Sequence, residues 1–365
     1  VTTSISLITP CLPPAVDGLG DYTVRLLEHW PEHCKPTISF LVLAGAGESK
    51  SLLNKYEIDT FERDILSLVS ILNRNRSTWA FVQYVGYAYD PSGHPFWLVD
   101  ALARWRSQSS GRKVAVMFHE TWASGQLWEK AFWLKPAQRR CAAGLLALSD
   151  VAATSCAATL DDLHSVSPDR QIDLIPIGCN LIPARPKARN WRQALIFGKE
   201  PSRLRALKIH AALIRRLQSA GLIERLVLAG QSSASDCEEQ KMLKSWGIVF
   251  DCYYDLPADG VPDAVAQCGI SFMHTESRCL SKSGCFQVAA RLGQVAITSG
   301  EEEPGYPLIR GRHYLNYRKK DFGLIEASLS QPATLEAISD DVAELGATVF
   351  SWQEIACGWQ RLLAV

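Results

Sequence analysis

The 365-residue chain carries no excess of either charge: 38 lysines and arginines meet 38 aspartates and glutamates. That balance removes the electrostatic footprint of a nucleic-acid-binding protein, so no nucleic-acid partner is expected. No apolar run approaches the roughly 18–20 residues needed to span a bilayer, and no basic segment precedes the short apolar stretch at the amino terminus. The eleven cysteines include no CxxC pair and are odd in number, which reads as thiols in a reducing compartment and a cytoplasmic location. Histidine and cysteine show no metal-ligand spacing, and no G-x-G-x-x-G opens either half, which disfavours a dinucleotide oxidoreductase. There is no internal repeat and no low-complexity segment.

What is present is an alternation. The length exceeds what one hydrophobic core usually supports, and 47% hydrophobic residues suffice for two. Short β-like runs at residues 4–8, 37–43, 79–84, 113–118, 151–154 and 172–176 alternate with helical patterns at 98–105 and 139–148. Such alternation implies a parallel sheet covered on both faces. A polar stretch with two prolines, Pro183 to Asn190, reads as a linker. Beyond it the alternation restarts, with strands at 193–197, 225–229, 249–253, 270–273 and 295–298 and helices at 203–220 and 284–292. Near the carboxyl end Trp352, Ile355, Trp359 and Leu362 share one helical face. The expected architecture is α/β with a Rossmann-like domain at 1–183, a second at 184–348, and a terminal helix at 349–365 returning toward the first.

Several turns carry groups suited to a ligand. The first strand runs into a turn with Gly18, Gly20 and Asp21, where open α/β sheets place ligands and where glycine lets backbone N–H groups approach one. The strand at 270–273 leads to Glu276, and Ser281, Lys282, Ser283 and Gly284 introduce a helix whose first amides form a phosphate cradle. The plainer reading of those four residues is an ordinary N-cap. His119 and Glu120 stand at a strand's carboxyl end. Trp122, Trp128 and Trp133 follow, and Trp97 and Trp105 lie on a nearby helix with Arg104 and Arg106. Indoles stack on sugar rings, and a basic, tryptophan-bearing surface suits peripheral membrane contact as well as core packing. Tyr87 and Asp90 sit in a long polar and aromatic loop.

The order of these segments resembles bacterial glycosyltransferases of the two-domain GT-B fold, of the retaining family-4 type, over nearly the whole chain. Five stretches carry the resemblance: 18–22, 118–120, 175–180, 197–199, and 275–276 through Gly293. It implies two Rossmann-like domains facing a cleft, a nucleotide diphosphate sugar as co-substrate, no cofactor or metal, and a glycan or lipid-linked acceptor. By the same resemblance Lys199 and Arg203 hold the donor's diphosphate, with their order swapped relative to the usual pattern. Glu276 stands by the donor sugar, His119 near the reacting sugar, and Gly18, Gly20, Ser281, Lys282, Ser283 and Gly284 on the donor side. Asp21, Tyr87 and Trp122 face the acceptor. The family carries a second glutamate eight positions after the first, and here that position is Gly284, so donor identity is not inherited. A nucleotide-sugar epimerase of the same fold and a non-catalytic sugar-binding relative remain open alternatives.

Overall fold

The computed structural model describes residues 3–13, 18–32, 36–45, 56–123, 125–180, 188–231, 237–255, 263–300, 303–318 and 321–364. It divides into two compact units, residues 1–176 with 352–365, and residues 177–351. Of the linker stretch, residues 183–187 lie outside the described residues.

Unit 1 is a seven-stranded, wholly parallel sheet. Its elements in chain order are β1 (Ser4–Thr9), α1 (Gly18–Glu28), β2 (Thr37–Leu43), β3 (Glu57–Phe61), α2 (Ile65–Arg74), β4 (Trp79–Tyr84), α3 (Gly86–Tyr89), α4 (Phe96–Ser107), β5 (Lys113–Phe118), α5 (Lys130–Leu148), β6 (Val151–Thr154), α6 (Ala157–His164) and β7 (Asp173–Leu174). The strand order is β3-β2-β1-β4-β5-β6-β7. The central strands are continuous apolar runs because helices cover both faces, and β4 is buried along its whole length. The strand expected at 172–176 shrinks to two residues at the sheet edge.

Unit 2 repeats the plan with six parallel strands: β8 (Asn190–Phe197), α7 (Glu200–Ser219), β9 (Arg225–Gly230), α8 (Glu238–Trp246), β10 (Phe250–Tyr254), α9 (Asp263–Ala266), β11 (Cys268–Phe272), a 3-10 turn (Ser277–Lys282), α10 (Gly284–Leu292), β12 (Val295–Ser299), β13 (Leu315–Tyr317), α11 (Gly323–Leu329) and α12 (Pro332–Ala347). Their order is β10-β9-β8-β11-β12-β13. This is the doubly wound, Rossmann-like arrangement, in which the strand order reverses beside the first strand.

The last helix, α13 (Trp352–Leu363), belongs to unit 1 and packs on α1. It buries Trp352, Ile355, Ala356, Trp359 and Leu363, so Leu363 replaces Leu362 at the end of the apolar stripe.

Candidate functional site

In unit 2 the strand order reverses between β8 and β11, and the crevice beyond their carboxyl ends is where such sheets leave room for a ligand. β8 ends at Phe197, Gly198 makes the turn, and Lys199 occupies the N-cap of α7. β11 ends at Phe272, and the chain reaches α10 through the 3-10 turn, with Ser283 at the N-cap. Two helices therefore start at the same switch point. The Cys285 thiol donates to the Phe197 carbonyl at 3.1 Å and fastens the first turn of α10 to the end of β8. Burial pushes that thiol up to about 11, so it remains a neutral donor. Gly198 and Gly230 hold φ of +136° and +122°, and a Cβ on Gly230 would lie 2.2 Å from the Gly198 carbonyl oxygen. Only glycine permits these two strand ends to come so close.

A helix start leaves its first N–H groups without intrahelical partners and carries partial positive charge, so two of them together suit an anion. Lys199 is exposed at one. At the other the Ser283 hydroxyl accepts from the Phe286 amide at 3.4 Å and meets the Thr275 hydroxyl at 3.2 Å. Thr298 in turn donates to the Thr275 carbonyl at 2.6 Å, which holds the loop after β11 against β12. Gly284 is exposed, with nothing within 4 Å of where a Cβ would stand. Glu276 is exposed at the head of the 3-10 turn, and Lys282 is half-buried at its end.

Ser281 corrects an expectation. It is buried, and its carbonyl accepts from Gln287 Nε2 at 3.1 Å and from the Ile177 amide at 3.4 Å, so it forms the wall behind the cradle.

Arg203 corrects another. Its position, one turn before Ala206 and Leu207, lies on the stripe of α7 that faces the core, and the side chain is fully buried. The guanidinium forks onto the Glu239 carboxylate, Nε at 3.1 Å to both oxygens and Nη2 at 2.7 Å to one, and Nη1 donates to the carbonyls of Gly198 and of Gln231, the latter at 2.8 Å. Its Cζ lies 4.7 Å from the centre of the Tyr254 ring. Arg203 is thus an anchor joining the starts of α7 and α8 to the ends of β9 and β10, not a surface cation beside Lys199. Arg205 is exposed on the same helix, and its charge, after desolvation, holds the His274 imidazole below its ordinary pKa.

His210 was not singled out in the sequence. It is fully buried on α7, where Nε2 donates to the Met273 carbonyl at 2.8 Å and Nδ1 accepts from the Tyr317 hydroxyl at 2.9 Å. Burial lowers its pKa to about 4, which keeps it neutral. It pins the end of β11, the platform for His274 to Glu276.

Unit 1 has its own reversal, between β1 and β4. The turn from Pro14 to Asp17 lies outside the described residues. Gly18 and Gly20 both fall within the first turn of α1 rather than in a loop. Gly18 is exposed, whereas Gly20 is buried, and a Cβ there would stand 3.0 Å from the Cys11 carbonyl oxygen. Gly20 therefore lets α1 approach the chain after β1, which corrects its reading as a ligand-facing amide. Asp21 is half-buried in the same turn. His119 follows β5, and its Nε2 donates to Gln83 Oε1 at 2.8 Å while its ring stands edge-on to Tyr22 at 4.8 Å. Gln83 is fully buried, and its Nε2 has no partner among the described residues.

No family model matches the chain, and no curated protein sequence does. Solved structures match in shape. A sucrose-phosphate synthase from Thermosynechococcus elongatus superposes with a TM-score of 0.69 at 12% identity, over 99% of this chain and 98% of that one. Anabaena HepE in complex with UDP gives 0.68 at 11%, over 99% of each chain. The apo form of the lipopolysaccharide outer core galactosyltransferase WaaB gives 0.66 at 11%, again over 99% of each. The chain has the GT-B fold.

On this GT-B frame the loops expected to face an acceptor are held by one side chain. Gln138, fully buried on α5, donates to the Tyr87 hydroxyl and to the Ser92 carbonyl, both at 2.9 Å, and accepts from the Ala123 amide at 2.9 Å. Tyr87 itself is exposed. Trp122 packs partly on the core of unit 1 under the Arg139 guanidinium, 5.2 Å from its ring. Trp105 is fully buried in that core and is no part of a tryptophan surface. Among the described residues no three His, Cys, Asp or Glu side chains cluster as metal ligands, and no helix is long and apolar enough to cross a membrane.

Proposed function

We propose that this GT-B chain transfers a hexose from a nucleotide diphosphate sugar to a hydroxyl acceptor with retention of configuration. The observation that carries the reading is the convergence of two helix N-termini, with Lys199 at one and Ser283 and Gly284 at the other, on the switch point of the second sheet. Breaking the sugar-phosphate bond leaves negative charge on the diphosphate, and preorganised N–H dipoles beside an ammonium stabilise that charge as it forms. One such donor is worth about 3 kcal/mol in comparable oxyanion sites. HepE, whose structure holds UDP, shares the fold.

In this reading Glu276 stands by the donor sugar, and Lys282 completes the donor side. His119, fixed by Gln83, hydrogen-bonds the reacting sugar. Asp21, Tyr87 and Trp122 receive a glycan or lipid-linked acceptor. No side chain acts as nucleophile: the acceptor hydroxyl attacks on the face the diphosphate leaves, and the departing phosphate takes the proton. No resident metal or cofactor takes part. All ten described cysteines are free thiols, which suits a cytoplasmic setting.

The test is product analysis with UDP, GDP, ADP and TDP sugars and a panel of hydroxyl acceptors. Release of one nucleoside diphosphate together with a glycosylated acceptor supports the reading. A changed sugar without release points to an epimerase, and neither product with any donor overturns catalysis.

A further inference from the structure

The turn leading into α5 and the first turn of that helix leave uncovered what a folded domain normally buries. Leu127 is 61% exposed, Trp128 81% and Trp133 71%, and Phe132 lies beside them at 36%. Other large apolar side chains at the surface, such as Leu66, Val249 and Leu324, occur singly along the chain. These four fall within seven residues. The arrangement is built rather than loose. The Trp133 indole N–H donates to the Leu127 carbonyl at 2.9 Å, the Gln126 amide donates to Glu129 Oε2 at 2.8 Å, and the rings of Phe132 and Trp133 meet edge-on at 5.4 Å. The hydrogen bond satisfies the polar atom of Trp133 and leaves its ring free to enter an apolar medium.

The charge along the segment is mostly positive. Between residues 121 and 140 the cations are Lys130, Lys135, Arg139 and Arg140, and the only carboxylate is Glu129, although the whole chain balances at 38 of each sign. Contiguous apolar side chains at the surface mark an interaction site, and tryptophans rimmed by lysine and arginine match the boundary between anionic headgroups and acyl chains. A protein partner would need shape complementarity that nothing here displays, whereas a bilayer needs only this chemistry.

We propose that the segment 127–140, through Leu127, Trp128, Phe132 and Trp133 with Lys130 and Lys135, docks the protein on the surface of an anionic phospholipid bilayer. The inference stands independently of the reaction. Helix α5 carries Gln138, which holds the Tyr87 and Ala123 loops, so a docked helix would also fix those loops relative to the lipid surface.

The test uses the full chain and sucrose-loaded vesicles of phosphatidylcholine alone or with phosphatidylglycerol. Co-sedimentation with the anionic vesicles is expected, falling at least roughly tenfold in a Trp128→Ser, Trp133→Ser double variant with an unchanged melting midpoint. Lys130→Gln and Lys135→Gln should each weaken anionic binding about fivefold, and raised salt should do the same. No binding to either vesicle, or equal binding by the tryptophan double variant, would overturn the proposal. So would a concentration-dependent dimer that the double variant abolishes, since a second copy would then be what covers the patch.

Discussion

Trp359 in α13 donates its indole N–H to the hydroxyl of Tyr22 in α1 at 2.8 Å, across 337 residues of sequence. Tyr22 is buried, burial lifts its phenol far above the usual range, and its ring stands against His119. Trp359 also lies 4.3 Å from the ring of Phe81 in β4. The carboxyl-terminal helix thus completes the packing behind His119 within unit 1.

Trp359→Phe should retain most of the ring packing and lose the donor, at about 1–3 kcal/mol for an orphaned buried partner. Trp359→Ala should cost about 3–5 kcal/mol through the cavity. Thermal unfolding checks the order, since each kcal/mol moves the midpoint by roughly 2–4 °C in a unit of this size.

Lys199 and Arg203 should behave oppositely. Arg203→Ala leaves Glu239 buried without its partner, a loss of about 3–5 kcal/mol and roughly 10 °C in midpoint. Lys199→Ala removes an exposed side chain and should shift stability by less than about 0.5 kcal/mol while weakening anion binding. Equal stability of the two variants would contradict the buried pair.

His210 predicts a pH dependence. The unfolded chain titrates this histidine near its ordinary value of 6.5, and the folded chain holds it at about 4. Between those values the unfolded state takes up a proton that the folded state refuses, so stability falls as pH drops through that window, by about 3 kcal/mol in all. Denaturant unfolding from pH 7 to pH 4 should show the slope, and His210→Asn should flatten it. A His210→Asn curve parallel to the parent would refute the assignment.

Gly284→Glu should be tolerated. The position opens α10, its Cβ would meet nothing within 4 Å, and a carboxylate at a helix start gains about 0.3–1 kcal/mol. An unchanged or higher melting midpoint is expected, and a fall of several degrees would show that the fold itself demands glycine there.

Much of the frame was legible because parallel strands buried on both faces are apolar runs. β2, β4, β5 and β6 coincide with the runs at 37–43, 79–84, 113–118 and 151–154, and α10 with the pattern at 284–292. Edge strand β3, Glu57–Phe61, escaped because it is half solvated, and the first turns of α5 because their large apolar residues face outward. The burial of Arg203 was readable from its register with Ala206, Leu207, His210, Leu213, Ile214 and Leu217 on α7. The partners that fix the candidate residues were not readable, because Gln83, Gln138 and His210 act across 36, 51 and 63 residues, distances that only the tertiary fold closes.

The most direct test of the account is thermal unfolding of the parent and Lys199→Ala against UDP, GDP, ADP and TDP, their sugar conjugates and NAD. At about a hundredfold the dissociation constant, a ligand adds about 2.7 kcal/mol to stability. The account predicts a midpoint rise of several degrees with one nucleoside diphosphate and its sugar conjugate, reduced in Lys199→Ala at an unchanged ligand-free midpoint. No rise with any nucleotide, or a full rise in the variant, would contradict the assignment of the second sheet's switch point as the donor site.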